Sequence, residues 1–275
     1  MADTDVTPDS AEPAVLVSRD DTDPSVAVLT LNRPAKYNAL TVELKEALLT
    51  AVAGVAGDES VRAVVLTGTG KAFCVGQDLG EHATALEEDA ASSFETVRDH
   101  YNPLVLSITG APKPVIAAIN GACVGAGLGL ALAADLRVAA EGLKFSTAFT
   151  AIGLTADTGL SASLAHAVGV SRATELLMLG EQFTADDARD WGLVRDVVPA
   201  GAVLDSALEL ARTLASGPTR AYAEVKGAIR FGAVNELPDV LEHEADAQTR
   251  LATTSDHQGA VTAFLAKKAP TFEGR

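Results

Sequence analysis

The spacing of hydrophobic and polar positions changes near residue 202 of this 275-residue chain. Before that point, apolar runs such as Val61–Thr67 and Val115–Ile119 have the length of buried strands, and polar or glycine-rich turns separate them from stretches with helical spacing. After it, long amphipathic segments follow one another without strands. This order predicts an α/β core over residues 14–201 and a helical C-terminal region over residues 202–275, an arrangement common where helices pack against another subunit.

A hairpin and a helix are predicted at the start of the core. Ala14–Arg19 and Ser25–Asn32 are apolar or alternating segments on either side of a polar turn, which is typical of two antiparallel strands. Thr41 is a candidate N-cap, because its hydroxyl can accept a backbone N–H of the first helical turn. The helix is expected to run to about Gly54. The polar, alanine-rich stretch 80–92 is expected to form a mobile cover.

The segment Lys113–Asp135 is free of charge between its ends and joins a strand to a helix through glycines. In Gly125-Ala126-Gly127, the glycines have no side chains to cover the backbone where a helix is expected to start. The unpaired N–H groups of a helix N-terminus can stabilise an oxyanion or bind phosphate. The same glycines could serve only to let a buried helix pack closely, so two interpretations stay open. A membrane span is disfavoured because Asn120 and four glycines interrupt the run. Leu130 stands where a dinucleotide fingerprint needs its third glycine.

A second segment, Phe73–Leu79, is also expected to present backbone atoms. It is too often interrupted by glycine for a long strand and too apolar for an open loop.

Composition narrows the possible partners and compartments. The formal net charge of −16 disfavours nucleic acid and anionic membranes as partners, although a small anionic ligand remains possible where basic residues receive it. Cys74 and Cys123 have no paired spacing, and a reducing, cytoplasmic compartment is expected. Residues 1–13 are acidic and unlike a signal peptide, which predicts a disordered tail. No spacing of carboxylates and histidines predicts a metal site.

Several spaced motifs resemble the crotonase, or enoyl-CoA hydratase/isomerase, superfamily. The likeness spans roughly residues 14–272 and is specific because the motifs occur in the right order. They are Asn32-Arg33-Pro34 with Asn38-Ala39-Leu40, Phe73-Cys74-Val75-Gly76-Gln77-Asp78-Leu79, Lys113-Pro114-Val115-Ile116-Ala117-Ala118-Ile119-Asn120-Gly121, Ala188-Arg189-Asp190-Trp191-Gly192-Leu193-Val194, and the closing Ala263-Phe264-Leu265-Ala266-Lys267-Lys268.

The resemblance implies a crotonase-like core in which ββα turns form a spiral, followed by a C-terminal helical trimerisation region. It implies homotrimers or dimers of trimers. The substrates implied are coenzyme A thioesters, so coenzyme A is part of the substrate and no separate cofactor is expected. The thioester oxygen would lie between the backbone N–H groups of Gln77 and Ala126, where two preorganised donors stabilise an enolate.

The resemblance also implies a set of substrate-binding residues. Lys36 would contact the nucleotide end of coenzyme A, and Lys267, from the same or a neighbouring subunit, would meet the phosphates. Asp78 is expected to fix the Gln77 loop by accepting backbone N–H bonds. The remaining expected contacts are Val75, Leu79, Gly125, Phe149 and Phe264.

The choice of base decides which reaction is expected. Hydratases of the superfamily use two glutamates, and Gly129 and Phe149 stand at those positions here, so no pair of acids is available to add water. Asp157 lies where superfamily isomerases carry an aspartate, including those acting on enoyl-CoA and ring-epoxyphenylacetyl-CoA thioesters. One carboxylate can remove a proton from one carbon and return it to another. We therefore predict an acyl-CoA isomerase with Asp157 as acid and base.

Other interpretations remain. Asp157 precedes Thr158-Gly159-Leu160-Ser161 and could be only a helix N-cap. It could activate water alone, as in an enoyl-CoA hydratase of fatty-acid β-oxidation, or act as a nucleophile, as in the dehalogenase branch of the superfamily, although Asn102 stands at that branch's histidine position. A non-catalytic acyl-CoA binder and an RNA-binding relative are alternatives of another class.

Overall fold

The computed structural model describes residues 12–275, so the predicted tail over 1–13 lies outside the described residues except for its last two positions. The strands are β1 Val15–Arg19, β2 Val26–Leu31, β3 Ala63–Gly68, β4 Ala72–Cys74, β5 Val115–Ile119, β6 Ala122–Val124, β7 Leu136–Ala140, β8 Lys144–Ser146, β9 Phe183–Thr184 and β10 Asp196–Val198.

Helices connect the strands and form the C-terminal region. They are α1 Val42–Gly57, α2 Leu79–Glu88, α3 Asn102–Gly110, α4 Ala126–Ala133, α5 Leu160–Val168, α6 Val170–Leu179, α7 Ala185–Asp190, α8 Val203–Ala215, α9 Thr219–Gly232, α10 Leu237–Ala252 and α11 Ser255–Leu265. A π-helical turn over Val97–Tyr101 leads directly into α3.

Two sheets share the strands in a regular way. One has the order β1-β2-β3-β5-β7-β10, parallel except for the β1–β2 hairpin, and the other has the order β4-β6-β8-β9. Each of the pairs β3–β4, β5–β6 and β7–β8 gives one strand to each sheet before the chain passes into helix. This repetition is the ββα spiral that the resemblance implies, and it stacks the strand ends of successive turns along one side of the core.

The interior of the larger sheet is apolar on both faces. All six residues of β3 and all five of β5 are buried, as expected for parallel strands covered on either side. Helix α8 covers one face of this sheet with Ala207, Ala211 and Ala215. Helices α9, α10 and α11 continue beyond it. The division at residue 202 stays a prediction, and α8 packs as part of the core. No helix of residues 12–275 is long and apolar enough to cross a membrane.

The elements follow the sequence predictions with a few corrections. Thr41 does cap α1, accepting the Leu44 N–H, but the helix continues to Gly57. The stretch 80–92, expected as a mobile cover, contains helix α2, because Asp78 accepts the N–H groups of Gly80 and Glu81 and so starts a helix there. The short strand β9 was not predicted, since its two residues carry no periodic signal.

Candidate active site

A cavity of about 650 Å³ opens where the ends of β4 and β6 meet the start of α4. All but two of the predicted site residues line it, although they come from five separate segments of the chain. They are Lys36, Val75, Gln77, Asp78, Leu79, Gly125, Ala126, Phe149 and Asp157. The spiral explains this convergence, because each turn contributes the segment after its second strand to the same side.

Phe264 and Lys267 do not join this cavity within one chain, which corrects the expectation for a single subunit. Phe264 lies at the end of α11 with 80% of its surface exposed, and Lys267 follows it in a left-handed conformation, also exposed. The reason is that the C-terminal helices extend beyond the spiral core. A role for either residue from a second copy of the chain stays a prediction.

The backbone N–H groups of Gln77 and Ala126 are free for a ligand. Leu40 bonds to both neighbours of Gln77, donating to the Gly76 oxygen at 2.8 Å and accepting the Asp78 N–H at 3.1 Å, so the Gln77 N–H lies on the other side of the strand. Ala126 is the first residue of α4. Neither N–H has an acceptor among residues 12–275. A Cβ at Gly76 would lie 3.3 Å from the Ala126 nitrogen, which shows how closely the two segments approach.

The glycines at the start of α4 allow close packing and also leave the Ala126 N–H free at the cavity. Gly127 packs so closely that a Cβ would lie 2.2 Å from the Cys74 carbonyl oxygen, and no other residue fits there. Gly125 has φ +55°, which turns the chain so that α4 begins at the cavity. Close packing of α4 on β4 is therefore what brings the free N–H of Ala126 to the Gln77 segment.

Asp157 lines the cavity as a carboxylate and does not cap a helix. Helix α5 begins at Leu160, with Gly159 in the capping position and no side-chain hydrogen bond to the helix start. The Asp157 Oδ1 atom is buried without a hydrogen-bond partner in the described part of the chain. Burial raises the pKa of Asp157 to about 6, against the opposing effects of the Thr158 hydroxyl and the Lys45 ammonium. Such a carboxyl is ionised in part near neutral pH and can both accept and return a proton.

Neither of the two positions at which hydratases carry glutamates holds an acidic side chain here. A Cβ at Gly129 would lie 1.8 Å from the Thr158 Oγ1 atom, so the Thr158 side chain fills the space of a larger residue at 129. Thr158 itself is buried with φ +52°. Phe149 is buried and turns an apolar surface to the cavity.

Asp78 is engaged in structure around the cavity mouth. It accepts the backbone N–H groups of Gly80 and Glu81 and so caps α2, a helix that was not predicted, and one of its oxygens lies 3.0 Å from the Arg33 Nη1 atom. Arg33 also donates to the Ala39 carbonyl, and the buried Asn38 accepts the Arg33 N–H at 2.9 Å. The Asn-Arg-Pro and Asn-Ala-Leu motifs thus hold the loop that carries Lys36 against the Gln77 segment.

Two polar residues at the site were not predicted. Lys45 lies on α1 with only 1% of its surface exposed, and its Nζ atom is 3.2 Å from the Gln77 Oε1 atom. The Tyr101 hydroxyl donates to the same oxygen. Lys45 could have been predicted as buried, because Leu48 and Val52, three and seven residues later, lie on the buried face of the same helix. Tyr101 gave no signal beyond its helical segment. His82 follows the Gln77 segment closely in sequence and lines the cavity from α2.

Comparisons with known proteins show the family to which the chain is similar. The family model described as Enoyl-CoA hydratase/isomerase matches residues 21–275. The 1,2-epoxyphenylacetyl-CoA isomerase of Escherichia coli (strain K12) is 39% identical over 91% of this chain and 95% of its own length. The 2,3-dehydroadipyl-CoA hydratase of the same strain is 37% identical over 91% and 96%. A crystal structure from Mycobacterium abscessus, assigned to the enoyl-CoA hydratase/isomerase class, is 52% identical, with a TM-score of 0.89 over 95% of this chain and 100% of that one.

Proposed function

The chain belongs to the enoyl-CoA hydratase/isomerase family, and from this premise we propose that it is an acyl-CoA isomerase in which Asp157 moves the proton. The observation that carries the proposal is the Asp157 Oδ1 atom, which is buried without a hydrogen-bond partner among residues 12–275 and belongs to the same cavity as the two free N–H groups. The other aspartate that lines the cavity, Asp78, caps α2 and pairs with Arg33. Asp157 is therefore the carboxylate available to a substrate.

The proposed reaction is a 1,3-proton shift. With the thioester oxygen between the N–H groups of Gln77 and Ala126, the Asp157 carboxylate takes a proton from the carbon next to the thioester carbonyl, and the electron pair moves onto that oxygen. The two donors and the positive end of α4 stabilise the enolate. The neutral Asp157 then returns the same proton to a different carbon as the charge leaves the oxygen. No water and no second acid are consumed.

Two observations favour isomerisation over hydration. Adding water requires a group that activates it and a group that protonates the adjacent carbon. Thr158 occupies the space at Gly129, and Phe149 offers no proton. Hydration by Asp157 alone is the alternative that a direct assay must exclude.

The decisive assay follows trans-3-hexenoyl-CoA and trans-2-hexenoyl-CoA separately by the absorbance of the conjugated thioester. The wild-type protein is expected to convert the 3-enoyl substrate into the conjugated 2-enoyl product. It is not expected to hydrate the 2-enoyl substrate. Asp157→Asn, which keeps the shape of the side chain, is expected to lower turnover about a hundredfold or more. Loss of conjugation from the 2-enoyl substrate would establish hydration instead. An unchanged rate in Asp157→Asn would exclude Asp157 as the base, and binding without turnover by the wild-type protein would favour a non-catalytic binder.

A ring-epoxide thioester is the second substrate to try. The cavity wall beyond the N–H groups is apolar and aromatic, with Phe94, Val97, Phe149, Ile152 and Leu154. A phenyl ring would bury its faces well on such a wall. The Escherichia coli relative is a 1,2-epoxyphenylacetyl-CoA isomerase, which supports the same choice.

Coenzyme A would extend from the cavity mouth past Lys36, and we propose that Lys267 and Phe264 reach it from a second copy. The C-terminal helices support an assembled state, because large apolar side chains on them are exposed in a single chain. These are Ile229, Val234, Leu237, Leu241, Phe264 and Leu265. Sedimentation velocity should give three or six times the 28.2 kDa chain mass. A monomer at micromolar concentration would contradict this.

A further inference from the structure

We propose that the side-chain amide of Gln77 is a third hydrogen-bond donor of the cavity, and that it selects acyl groups carrying an oxygen atom over plain hydrocarbon ones. Lys45 and Tyr101 act as positioning residues that hold this amide in one orientation. The inference rests on the proposed function of the cavity and extends it to the chemistry of the acyl group.

Two buried donors meet the Gln77 side-chain oxygen. The Lys45 Nζ atom lies 3.2 Å from Oε1, and the Tyr101 hydroxyl donates to the same atom. Lys45 and Tyr101 are each 1% exposed. With both contacts made, the two lone pairs of the amide oxygen are occupied.

The donors also decide which end of the amide faces the ligand. A lysine ammonium has hydrogen-bond donors and no acceptor, so the amide oxygen must turn toward Lys45 and the amino group away from it. Gln77 lines the cavity, and its Nε2 group has no acceptor among residues 12–275 and is not sealed in the core. Two N–H bonds of Nε2 are therefore available to a bound molecule.

The charge on Lys45 strengthens this arrangement. No carboxylate of residues 12–275 lies within 4 Å of its Nζ atom, which instead donates to Gln77 and, at 2.5 Å, to the Thr96 hydroxyl. Its ammonium lies 4.7 Å from the centre of the Tyr101 ring. A buried ammonium is costly to keep without an ion pair. The positive charge of Lys45 beside the amide oxygen draws electrons from the amino group of Gln77 and makes its N–H bonds better donors.

The position of the amide indicates the ligand. Gln77 lines the same cavity as Asp157, in a wall otherwise formed largely by apolar side chains. A site built to donate a hydrogen bond rejects an analogue that cannot accept one, because the donor is then buried without a partner. An ether, epoxide, hydroxyl or keto oxygen on the acyl group would satisfy it. An unsubstituted alkyl or phenyl group would not.

Binding of two unreactive probes tests this by isothermal titration calorimetry. The probes are phenylacetyl-CoA and 2-hydroxyphenylacetyl-CoA, which differ by one oxygen. The wild-type protein is expected to bind the hydroxylated probe about tenfold more tightly or better, the value of one hydrogen bond to a donor otherwise left unpaired. In Gln77→Met, which keeps the backbone N–H and the length of the side chain, the ratio of the two affinities should fall to about one.

Two further variants separate positioning from folding. Tyr101→Phe removes only the hydroxyl, and Lys45→Met removes only the ammonium; both should reduce the affinity ratio by an intermediate factor. As a matched control, Gln182→Met replaces an exposed glutamine with methionine and should leave the ratio of the two probe affinities at its wild-type value. Circular dichroism checks that each variant is folded.

A wild-type ratio near one would overturn the inference, as would an undiminished ratio in Gln77→Met. Because neither probe reacts, these results are independent of turnover. If Asp157→Asn failed to lower turnover while the affinity ratio held, the proposed reaction would be wrong and the selectivity of the cavity would stand.

Discussion

Two buried lysines show how the core of this protein differs from the wall of its cavity. Lys113, 4% exposed, precedes β5 and donates to three backbone carbonyls, those of Val55, Asp58 and Val61, at 2.8–3.0 Å. Lys45 is even less exposed, and it donates to the side chains of Gln77 and Thr96. Burial lowers the pKa of both ammonium groups. One lysine closes the end of a helix, and the other orients a group that faces a ligand.

The same difference holds for the polar atoms around each lysine. Near Lys113, the ammonium satisfies carbonyls at and beyond the end of α1, and the region is complete without a ligand. At the cavity, the N–H groups of Gln77 and Ala126 and the Oδ1 atom of Asp157 have no partner in the described chain. Unsatisfied groups cost free energy, so two free backbone donors and a buried carboxylate oxygen lining one cavity mark it as the candidate functional region.

The largest expected effect is the pH dependence of turnover. Asp157 must be ionised to accept a proton, and its pKa is about 6. We expect kcat/KM to fall about tenfold per pH unit below pH 6 and to reach a plateau above it, a change of about a hundredfold between pH 7 and pH 4. Lys45, Tyr101 and His82 also face this group.

Two variants sharpen this measurement. His82→Gln removes the histidine that lines the cavity and so isolates the contribution of Asp157. Lys45→Met should move the acid limb to higher pH, since the lysine charge lowers the pKa of Asp157. A flat profile from pH 4 to pH 8 would exclude Asp157 as the base.

The second prediction separates the two lysines by stability. Lys113→Met leaves three carbonyls without their donor and should lower the free energy of unfolding by about 3 kcal/mol. It should leave the pH at half-maximal activity unchanged. Urea denaturation of Lys113→Met and Lys45→Met provides the comparison. A shift of the activity profile in Lys113→Met would contradict the division between structural and functional lysine.

The third prediction concerns the filled position opposite Thr158. Gly129→Ala places a Cβ where the Thr158 hydroxyl now lies and should cost about 1–3 kcal/mol through overpacking. Adding Thr158→Gly should restore most of this, because it removes the clash and relieves a positive φ. Thermal denaturation of the two single variants and the double variant tests the coupling. Additive losses would mean that the two positions do not compete for space.

The smallest expected effect is a gain of stability when the proposed base, Asp157, is replaced. The folded pKa of Asp157, about 6, lies above its ordinary value of 3.8, so ionisation above pH 6 opposes folding and the penalty disappears as the pH falls to about 4. Asp157→Asn should therefore raise the free energy of unfolding by about 1–3 kcal/mol at pH 7.5 and by little at pH 4. Denaturation at the two pH values measures the difference. Destabilisation at pH 7.5 would show that the carboxylate is well solvated.

Much of the site could be predicted because the relevant signals are local in sequence. Gln77 and Ala126 lie in short glycine-containing segments, and the absence of acids at Gly129 and Phe149 can be read at single positions. The cover helix α2 was harder, since alanine and polar residues without an apolar face give little periodicity. Phe264 and Lys267 depend on a second chain, which no periodicity within one chain describes.

By itself, the sequence determined the alternation of strands and helices and the glycine-rich segments that present backbone atoms, because these depend on spacing over a few residues. The choice of Asp157 as base came from the resemblance to superfamily isomerases and stays a prediction. Only the tertiary structure decided that Thr158 fills the space at Gly129 and that Lys45 and Tyr101 meet on the oxygen of Gln77. Burial also decided that Asp157 has a pKa near neutrality. Residues separated by tens of positions become neighbours only when the spiral closes, and desolvation exists only once the surrounding side chains are packed.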